Sequence, residues 1–218
     1  MGSGTGSTFR AIAPLIPDAH WRLIDHDKQL LQEAARRHSQ NDNNIYQNAD
    51  LNDLTSLSLS EADLVSASAL FDLCSKEFIE RLASALSRFK IGLYAALNYN
   101  GQIVFDAPHP DDPVMVELFN FHQRSDKGFG PALGPESART LAALFVEAGY
   151  DVKLAQSDWT IDENAVELHR LFVDGLASAV TETGMLERDR IVKWLEFRIG
   201  QAGTKCLVGH SDILALPV

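Results

Sequence analysis

Cysteine is scarce in this sequence of 218 residues, which contains only Cys74 and Cys206. No Cys-x-x-Cys pair occurs, so the sequence argues against a disulfide scaffold and against a structural zinc site. We expect two buried, reduced thiols. Apolar runs long enough to cross a membrane are also lacking, as are the basic and apolar regions of a secretory signal. These absences predict a cytoplasmic protein with no membrane partner.

Basic charge is in short supply as well, with 19 Lys and Arg against 30 Asp and Glu, a net charge of −11. A chain with this excess of acidic residues lacks the positive charge needed to neutralise many phosphates, so no nucleic-acid partner is expected. Hydrophobic residues make up 45% of the sequence, which is enough to bury one sizeable core. We therefore expect a single globular domain over residues 1–218.

The exact nucleotide-binding motifs are missing, although a glycine loop opens the sequence as Gly2-Ser3-Gly4-Thr5-Gly6. The dinucleotide fingerprint requires its third glycine at relative position six, where this chain has Ser7, and no Gly-Lys-Ser/Thr run occurs. Glycines still let a backbone approach a ligand, and a following helix offers free N–H groups. The alternative interpretation of the loop is a flexible Gly-Ser segment.

Apolar periodicity predicts that strands and helices alternate along the chain. Strands are predicted at 20–25, 45–49, 63–68, 91–97, 102–105, 150–155 and 205–216, and helices at 9–16, 28–37, 76–87, 113–123, 135–148, 163–182 and 187–200. Residues 98–101 are interpreted as a hairpin turn because Asn-Gly favours one, and residues 38–44 as a polar loop. This order predicts an α/β fold with a mainly parallel sheet and an antiparallel last pair of strands.

Residues 106–136 differ from the rest because they are rich in proline, glycine, aspartate and aromatic residues. A long stretch with one predicted helix usually carries function in a compact domain, so we expect a substrate insert or lid here, beside a cofactor half at about 1–105. His109, Asp111 and Asp112 form a conceivable metal cluster, but a polar loop explains them better, and no metal is expected.

Two acidic residues follow predicted strands in the cofactor half. Asp25 can accept hydrogen bonds from both ribose hydroxyls of a nucleoside, although it can also share the helix-capping role of Asp27. Asp50 and the backbone N–H of Leu51 can hold an adenine, although a turn acid such as Asp53 has the same appearance. A glycine loop, a helix, a strand and an acidic residue in this order are less expected by chance than the glycine loop alone or the acidic residue alone.

On these residues the chain resembles the class I S-adenosylmethionine-dependent methyltransferases. Their glycine loop is matched by Gly2, Gly4 and Gly6, their ribose-binding acid by Asp25, and their adenine-binding acid by Asp50. The resemblance implies a Rossmann-like methyltransferase sheet and S-adenosyl-L-methionine as the cofactor. It also implies a set of cofactor-binding residues, which are Gly2, Ser3, Gly4, Gly6, Asp25, His26, Asp50, Leu51, Ser66 and Ala67.

The sequence departs from this family at its start. The family's first strand precedes the glycine loop and lies in the middle of the sheet, whereas here it would have to precede Met1. A missing central strand leaves unpaired backbone groups and an open groove. We therefore hypothesise that the chain is truncated at its N-terminus, and that an added strand and helix would raise stability and cofactor affinity.

The resemblance implies methyl transfer by in-line attack on the sulfonium methyl, and we expect a small-molecule acceptor. The protein would supply alignment, and a base where the nucleophile must lose a proton. Asp72 and His122 are the candidate bases. Arg124 would suit a carboxylate or phosphate of the substrate, and Phe121 an apolar pocket wall.

Simpler interpretations of these residues stay open: a structural His122, a solvated charge cluster around Arg124, and packing of Phe119, Phe121 and Phe129 in the core or a lid. A nucleotide-dependent oxidoreductase on a similar sheet is one rival function. An inactive methyltransferase-like subunit that binds a partner is another. A homodimer is compatible with each of them.

Overall fold

Strands alternate with helices throughout a computed structural model that describes residues 1–38 and 44–218. The strands are β1 (Arg22–Asp25), β2 (Ile45–Asn48), β3 (Leu64–Ser68), β4 (Gly92–Phe105), β5 (Tyr150–Gln156), β6 (Trp159–Ile161) and β7 (Cys206–Pro217). The helices are α1 (Ser7–Ile12), α2 (Lys28–Arg37), α3 (Lys76–Phe89), α4 (Asp112–His122), α5 (Ser137–Glu147), α6 (Val166–Thr183) and α7 (Arg188–Gly200). The predicted α/β fold is confirmed.

Helices α2 and α3 begin where the sequence supplies a capping side chain. Asp27 precedes α2 and accepts hydrogen bonds from the backbone N–H groups of Gln29 and Leu30 at 2.7 and 3.2 Å. Ser75 precedes α3 and accepts from the N–H of Phe78 at 3.2 Å. These oxygens satisfy N–H groups that have no partner inside the helix, which fixes both starting points.

The strands form two sheets. β1 and β2 pair in parallel, and a second sheet has the order β3-β4-β7-β5, with β6 also paired to β7. β3 and β4 are parallel, whereas β7 is antiparallel to β4, β5 and β6. The antiparallel pairing predicted for the last two long strands is therefore confirmed as β5 and β7.

Residues 1–3 join the two sheets at one end. The N–H of Ser3 donates to the carbonyl of Ile24 in β1 at 3.0 Å, and the amine of Met1 donates to the carbonyl of Ser66 in β3 at 2.7 Å. The short N-terminal segment thus lies between β1 and β3 and touches the carboxyl-terminal half of each. Both strands consequently end at the same edge, beside the glycine loop.

The hairpin predicted at residues 98–101 is wrong. β4 continues through this region as one strand, with register shifts against β7 between Ala95 and Asn98 and between Tyr99 and Ile103. The reason is long-range pairing, since β7 runs antiparallel along both halves of β4 and a bulge absorbs the extra residues. Gly101, at φ 92°, accommodates this irregularity without turning the chain back.

One strand of the structure was missed by the sequence prediction, and one predicted loop is not tested. β6 was not predicted, because three residues carry too little periodicity to be recognised. The polar loop predicted at 38–44 lies largely outside the described residues.

One hydrophobic core lies between the sheet and helices α3 and α5, where Phe78, Leu82 and Phe145 are fully buried. A second core forms where α4, α6 and α7 pack against the far halves of β4 and β7, around Val173 and Trp194. Cys74 and Cys206 are free thiols buried in the first and second cores respectively, as the sequence predicted. The helices that pack with α4 in this second core, α6 and α7, therefore lie outside residues 106–136, the segment predicted as a substrate insert or lid.

None of the helices in the described ranges combines the length and the apolar character needed to cross a membrane.

Candidate active site

The glycine loop turns sharply at each of its three glycines. Gly2, Gly4 and Gly6 have φ values of 57°, 49° and 84°, in the left-handed region that other residues enter at a cost. A Cβ on Gly6 would lie 2.7 Å from Nε2 of His38, whereas a Cβ on Gly4 would meet nothing within 4 Å. A side chain at Gly6 would therefore force the His38 ring to shift, whereas Gly4 borders open space beside the loop.

The carboxylate of Asp25 fixes this loop to the end of β1. Oδ2 accepts a hydrogen bond from the N–H of Gly4 at 2.8 Å, and Oδ1 accepts one from the N–H of Asp27 at 2.9 Å. Asp25 is buried, with 5% of its surface exposed. Because a carboxylate oxygen has two lone pairs, each oxygen keeps one acceptor position beyond these contacts.

Neighbouring residues complete the carboxyl edge of β1 and β2. Asn48 donates through Nδ2 to the carbonyls of Asp25 and His26 at 3.1 and 2.8 Å, which ties the ends of the two strands together. The side chain of His26 is 83% exposed, with Nδ1 at 3.5 Å from Oδ1 of Asp25. In open α/β sheets, ligands bind at this carboxyl edge, so the loop, Asp25 and His26 border the expected location of a ligand.

Asp50 and Leu51 have different surroundings at the end of β2. Asp50 is exposed, and its Oδ1 accepts from the N–H and the Nδ2 of Asn52 at 2.9 and 3.2 Å, which closes a turn. Leu51 is buried in the first core. The adenine-binding role of this pair stays a prediction, because the turn also accounts for the acid.

Part of the segment 106–136 returns to this edge. Asn52 donates through Nδ2 to the carbonyl of Gly128 at 3.0 Å. The ring of Phe129 packs edge-on against Phe78, with 4.8 Å between centroids, and Ala132 forms a β-bridge with Ser75. The segment around residues 125–133 therefore borders the region that follows β2 and β3.

Ser66 and Ala67 lie in β3, and the chain continues from there to Asp72. Asp72 sits in a 3₁₀ turn at Phe71–Leu73, is 8% exposed, and its Oδ1 has no hydrogen-bond partner among the described residues. Burial raises the pKa of Asp72 to about 6. A buried carboxyl group that has an oxygen without a hydrogen-bond partner, and whose pKa is raised towards neutral pH, is a recurrent feature of functional sites.

Tyr99 is a buried polar residue that the sequence did not single out. Burial raises the pKa of Tyr99, and the charge of Asp72 raises it further. The Tyr99 hydroxyl donates to Oδ1 of Asn120 at 2.7 Å. Asn98, fully buried beside it in sequence, has an Oδ1 without a partner in the described residues. The polar run inside an apolar strand was the available signal, but it was interpreted as a turn.

The remaining predicted substrate residues lie at the end of α4. His122 contacts Glu182 of α6 through Nε2 at 2.9 Å, Phe121 is 54% exposed, and Arg124 donates to the carbonyl of Asn120 at 3.3 Å. Over the described ranges, none of the three hydrogen-bonds to the glycine loop or to Asp72. The structure therefore does not bring them together with the loop, and their substrate roles stay predictions.

The acidic side chains near His109 bind side chains of α7, the helix that carries Trp194 of the second core. Asp111 pairs with Arg190, while Asp112 accepts hydrogen bonds from Arg198 and from Trp194. Within the parts of the chain that the structure describes, no group of three or more His, Cys, Asp or Glu side chains is arranged to hold a metal ion.

Comparison with known proteins agrees with this geometry. Residues 1–89 match a family model described as a methyltransferase domain. No curated protein matches the sequence. Because β1 to β3, the glycine loop and Asp72 all fall within the matched residues, the candidate site lies largely inside the methyltransferase match.

Solved structures share the fold along nearly the whole chain. A cyclopropane-fatty-acyl-phospholipid synthase-like protein from Lactobacillus casei is 14% identical, with a TM-score of 0.60, and the match covers 99% of this chain and 82% of that one. A candidate methyltransferase from Bacillus halodurans is 13% identical, with a TM-score of 0.52, over 100% of this chain and 90% of that one.

A third structure, an N-methyltransferase from Haemonchus contortus in complex with phosphomonomethylethanolamine and S-adenosylhomocysteine, is 12% identical, with a TM-score of 0.51. That match covers 99% of this chain and 48% of that one. At these identities the structures establish the shared fold. The family match itself is to a methyltransferase domain and extends over residues 1–89.

Proposed function

We propose that this protein transfers the methyl group of S-adenosyl-L-methionine to a small-molecule acceptor. The observation that carries the proposal is the hydrogen bond from Gly4 to Asp25, which holds a glycine loop and a buried carboxylate at the carboxyl edge of β1. The family match supplies the reaction class, since it covers both residues.

The residues around the loop fit the cofactor's chemistry. Asp25 keeps acceptor capacity on both oxygens, which suits the two hydroxyls of a ribose. Gly4 leaves open space next to its Cα, where a side chain would otherwise fill the approach to the backbone. Gly2, Ser3 and Gly6 would complete the loop around the amino-acid part, with His26 at the rim. Asp50, Leu51, Ser66 and Ala67 would border the adenine.

When bound, the cofactor supplies an activated sulfonium methyl, and the protein supplies alignment and proton handling. Asp72 is the residue suited to hold a proton, because its pKa of about 6 leaves the carboxyl group mostly ionised and basic at neutral pH. An acceptor hydroxyl or ammonium group that reaches this carboxylate can transfer its proton to it. His122 is a second candidate base, with Arg124 and Phe121 as outer substrate contacts.

The first experiment is a calorimetric titration of the purified chain with S-adenosylhomocysteine, run beside an identical titration with NAD⁺. We expect saturable one-to-one binding of S-adenosylhomocysteine and no heat from NAD⁺. Binding of NAD⁺ alone would favour an oxidoreductase instead. Binding of neither ligand to a chain shown to be folded would remove the basis of the proposal.

Turnover is tested separately with a panel of small amines, alcohols, thiols and carboxylic acids. Formation of S-adenosylhomocysteine above the acceptor-free rate identifies the acceptor class. The matched variants are Asp72→Asn, which removes the proposed base, and Glu182→Gln, which removes the negative charge beside His122. We expect Asp72→Asn to lower turnover strongly while cofactor affinity is retained, and Glu182→Gln to have a small effect.

A further inference from the structure

Strand β5 lies at the edge of the larger sheet. In the order β3-β4-β7-β5 it pairs with β7 on one side, and no strand of the described residues pairs with its other side. Residues 151 and 153–156 are exposed along this edge. An edge strand presents unpaired backbone groups, which a further strand can bind.

The hydrogen bonds to β7 show which backbone groups of β5 point outward. The N–H of Ser157 donates to the carbonyl of His210 at 3.1 Å, just beyond the opposed residues Gln156 and Ser211. In an antiparallel ladder, such a bond flanks a pair of residues that exchange no hydrogen bonds with each other. Pairs of this kind alternate with hydrogen-bonded pairs along the strand.

The same alternation places Tyr150, Val152 and Leu154 in pairs that are not hydrogen-bonded to β7. The partner of Tyr150 agrees with this assignment, since it is Pro217, which has no N–H to donate. The backbone N–H and carbonyl groups of Val152 and Leu154 therefore point away from β7, towards the open edge. A second antiparallel strand can bind them if it places its own outward residues opposite.

Charged and apolar side chains alternate along this edge. Asp151 and Lys153 project on one face and are exposed, and neither forms an ion pair with another described residue. On the opposite face, Tyr150 and Val152 pack in the first core, whereas Leu154 is 55% exposed. The edge thus combines two opposite charges, two residues apart, with an exposed apolar side chain.

This charge pattern selects one register for the pairing of β5 with a second copy of itself. Because outward residues must lie opposite outward residues, the two-fold axis passes through a residue of the strand. An axis at Lys153 or at Asp151 places two like charges directly opposite each other, which is destabilising. An axis at Leu154 places Lys153 opposite Ala155, without a charge pair. An axis at Val152 places Asp151 opposite Lys153 twice.

We propose that β5 binds β5 of a second copy of this chain, antiparallel and centred on Val152. Asp151 of each copy then faces Lys153 of the other, and Tyr150 of each copy lies opposite Leu154 of the other. The two larger sheets become one continuous sheet about a two-fold axis, which closes the assembly as a dimer. The paired edge is short, so association should be in the micromolar range or weaker. The proposal does not depend on cofactor binding or methyl transfer.

The test is sedimentation velocity on the full chain and its charge variants, from low to high micromolar concentration. Lys153→Asp leaves only carboxylates at these positions of the paired edges, and Asp151→Lys leaves only ammonium groups. We expect the unmodified chain to form a dimer as its concentration rises, and each variant to associate at least ~10-fold more weakly. An equimolar mixture of the two variants should recover association, because opposite charges face each other again.

Two exposed residues of α7 provide matched controls with the same changes of charge. Lys193→Asp and Glu196→Lys should leave association unchanged. Recovery in the mixture also separates the proposed pairing from a loss of folding, which mixing does not reverse. An unmodified chain that stays monomeric at every concentration would overturn the proposal. A dimer that neither β5 variant weakens would do the same, since it would place the interface elsewhere.

Discussion

The N–H of Gly4 donates to Oδ2 of Asp25 across 2.8 Å, so a glycine in the left-handed region and a buried carboxylate at the end of β1 hold each other in place. The two residues are far apart in sequence, yet they define the same edge of the sheet. The relationship makes Asp25 both a structural anchor of the loop and a group with acceptor capacity left for a ligand.

Asp25→Asn tests both roles. The amide keeps one acceptor oxygen but places an NH₂ group against a backbone N–H, which leaves a buried donor without a partner. We expect a loss of ~1–3 kcal/mol in the free energy of unfolding and at least a ~10-fold loss of S-adenosylhomocysteine affinity. Thermal denaturation and calorimetry measure the two effects.

Asp53→Asn is the matched control, because Asp53 also accepts from a backbone N–H, that of Thr55 at 3.1 Å, but at an exposed position. Its affinity for S-adenosylhomocysteine should match that of the unmodified protein. Equal affinity in the Asp25 and Asp53 variants would separate Asp25 from ligand binding.

Gly4→Ala and Gly6→Ala form a second matched pair, since both glycines have positive φ. Gly4→Ala should cost ~1–2 kcal/mol, the strain of a left-handed alanine, because its Cβ meets open space. Gly6→Ala should cost clearly more, because its Cβ would also lie 2.7 Å from Nε2 of His38. Urea denaturation ranks them.

The affinity for S-adenosylhomocysteine gives a separate test of whether Gly4 borders the ligand. A folded Gly4→Ala protein should lose affinity for S-adenosylhomocysteine, since the new methyl group occupies the approach to the loop. A Gly4→Ala protein that binds as tightly as the unmodified chain would place the ligand elsewhere.

Asp72 predicts a pH dependence of stability. Burial raises its pKa in the folded protein to about 6 from an ordinary value of 3.8, so the folded state holds the proton more tightly than the unfolded state. Stability therefore decreases as pH rises from about 4 to about 6, and then levels off. Asp72→Asn should remove this contribution and stabilise the protein at pH 7 by on the order of 3 kcal/mol.

The comparison is made by urea denaturation of both proteins at several pH values between 4 and 7. The two curves should converge at the acidic end and separate towards neutral pH. A constant difference across this range would mean that the carboxyl group does not titrate as a buried, unpartnered acid.

The second core depends on a buried ion pair between Arg198 and Asp112. Arg198 is fully buried and lies 3.8 Å from the centroid of Phe105. Arg198→Ala should cost ~3–5 kcal/mol, because it leaves the carboxylate of Asp112 without its cation partner. The exposed pair of Arg190 and Asp111 is the control, and Arg190→Ala should cost less than ~1 kcal/mol. Similar losses of unfolding free energy in both variants would show that the Arg198–Asp112 pair contributes no more to stability than the Arg190–Asp111 pair.

Local signals in the sequence predicted much of the fold. Helix α2 occupies 28–37 as expected, because Asp27 provides a capping oxygen and the apolar residues follow helical spacing. Strand β3 was found within one residue because it is short, apolar and followed by a turn. The 98–101 hairpin failed since the pairing of β4 with β7 is long-range, and no local pattern encodes that partner.

The candidate site could be predicted from the sequence only in part. The glycine loop and Asp25 stood out through their order along the chain, and the structure places them in contact. The lack of a partner for Oδ1 of Asp72, and the effect of its charge on the pKa of Tyr99, depend on how the chain packs around these residues, which the sequence does not display. His122 and Arg124 had suitable chemistry, but α4 directs them towards α6 and its own last turn.

The most direct test is S-adenosylhomocysteine binding, measured by calorimetry on the unmodified chain and on its Asp25→Asn and Asp53→Asn variants. One-to-one binding to the unmodified chain is expected, weakened at least ~10-fold by Asp25→Asn and unchanged by Asp53→Asn. Absence of binding to the folded, unmodified chain would contradict cofactor recognition by the glycine loop and Asp25.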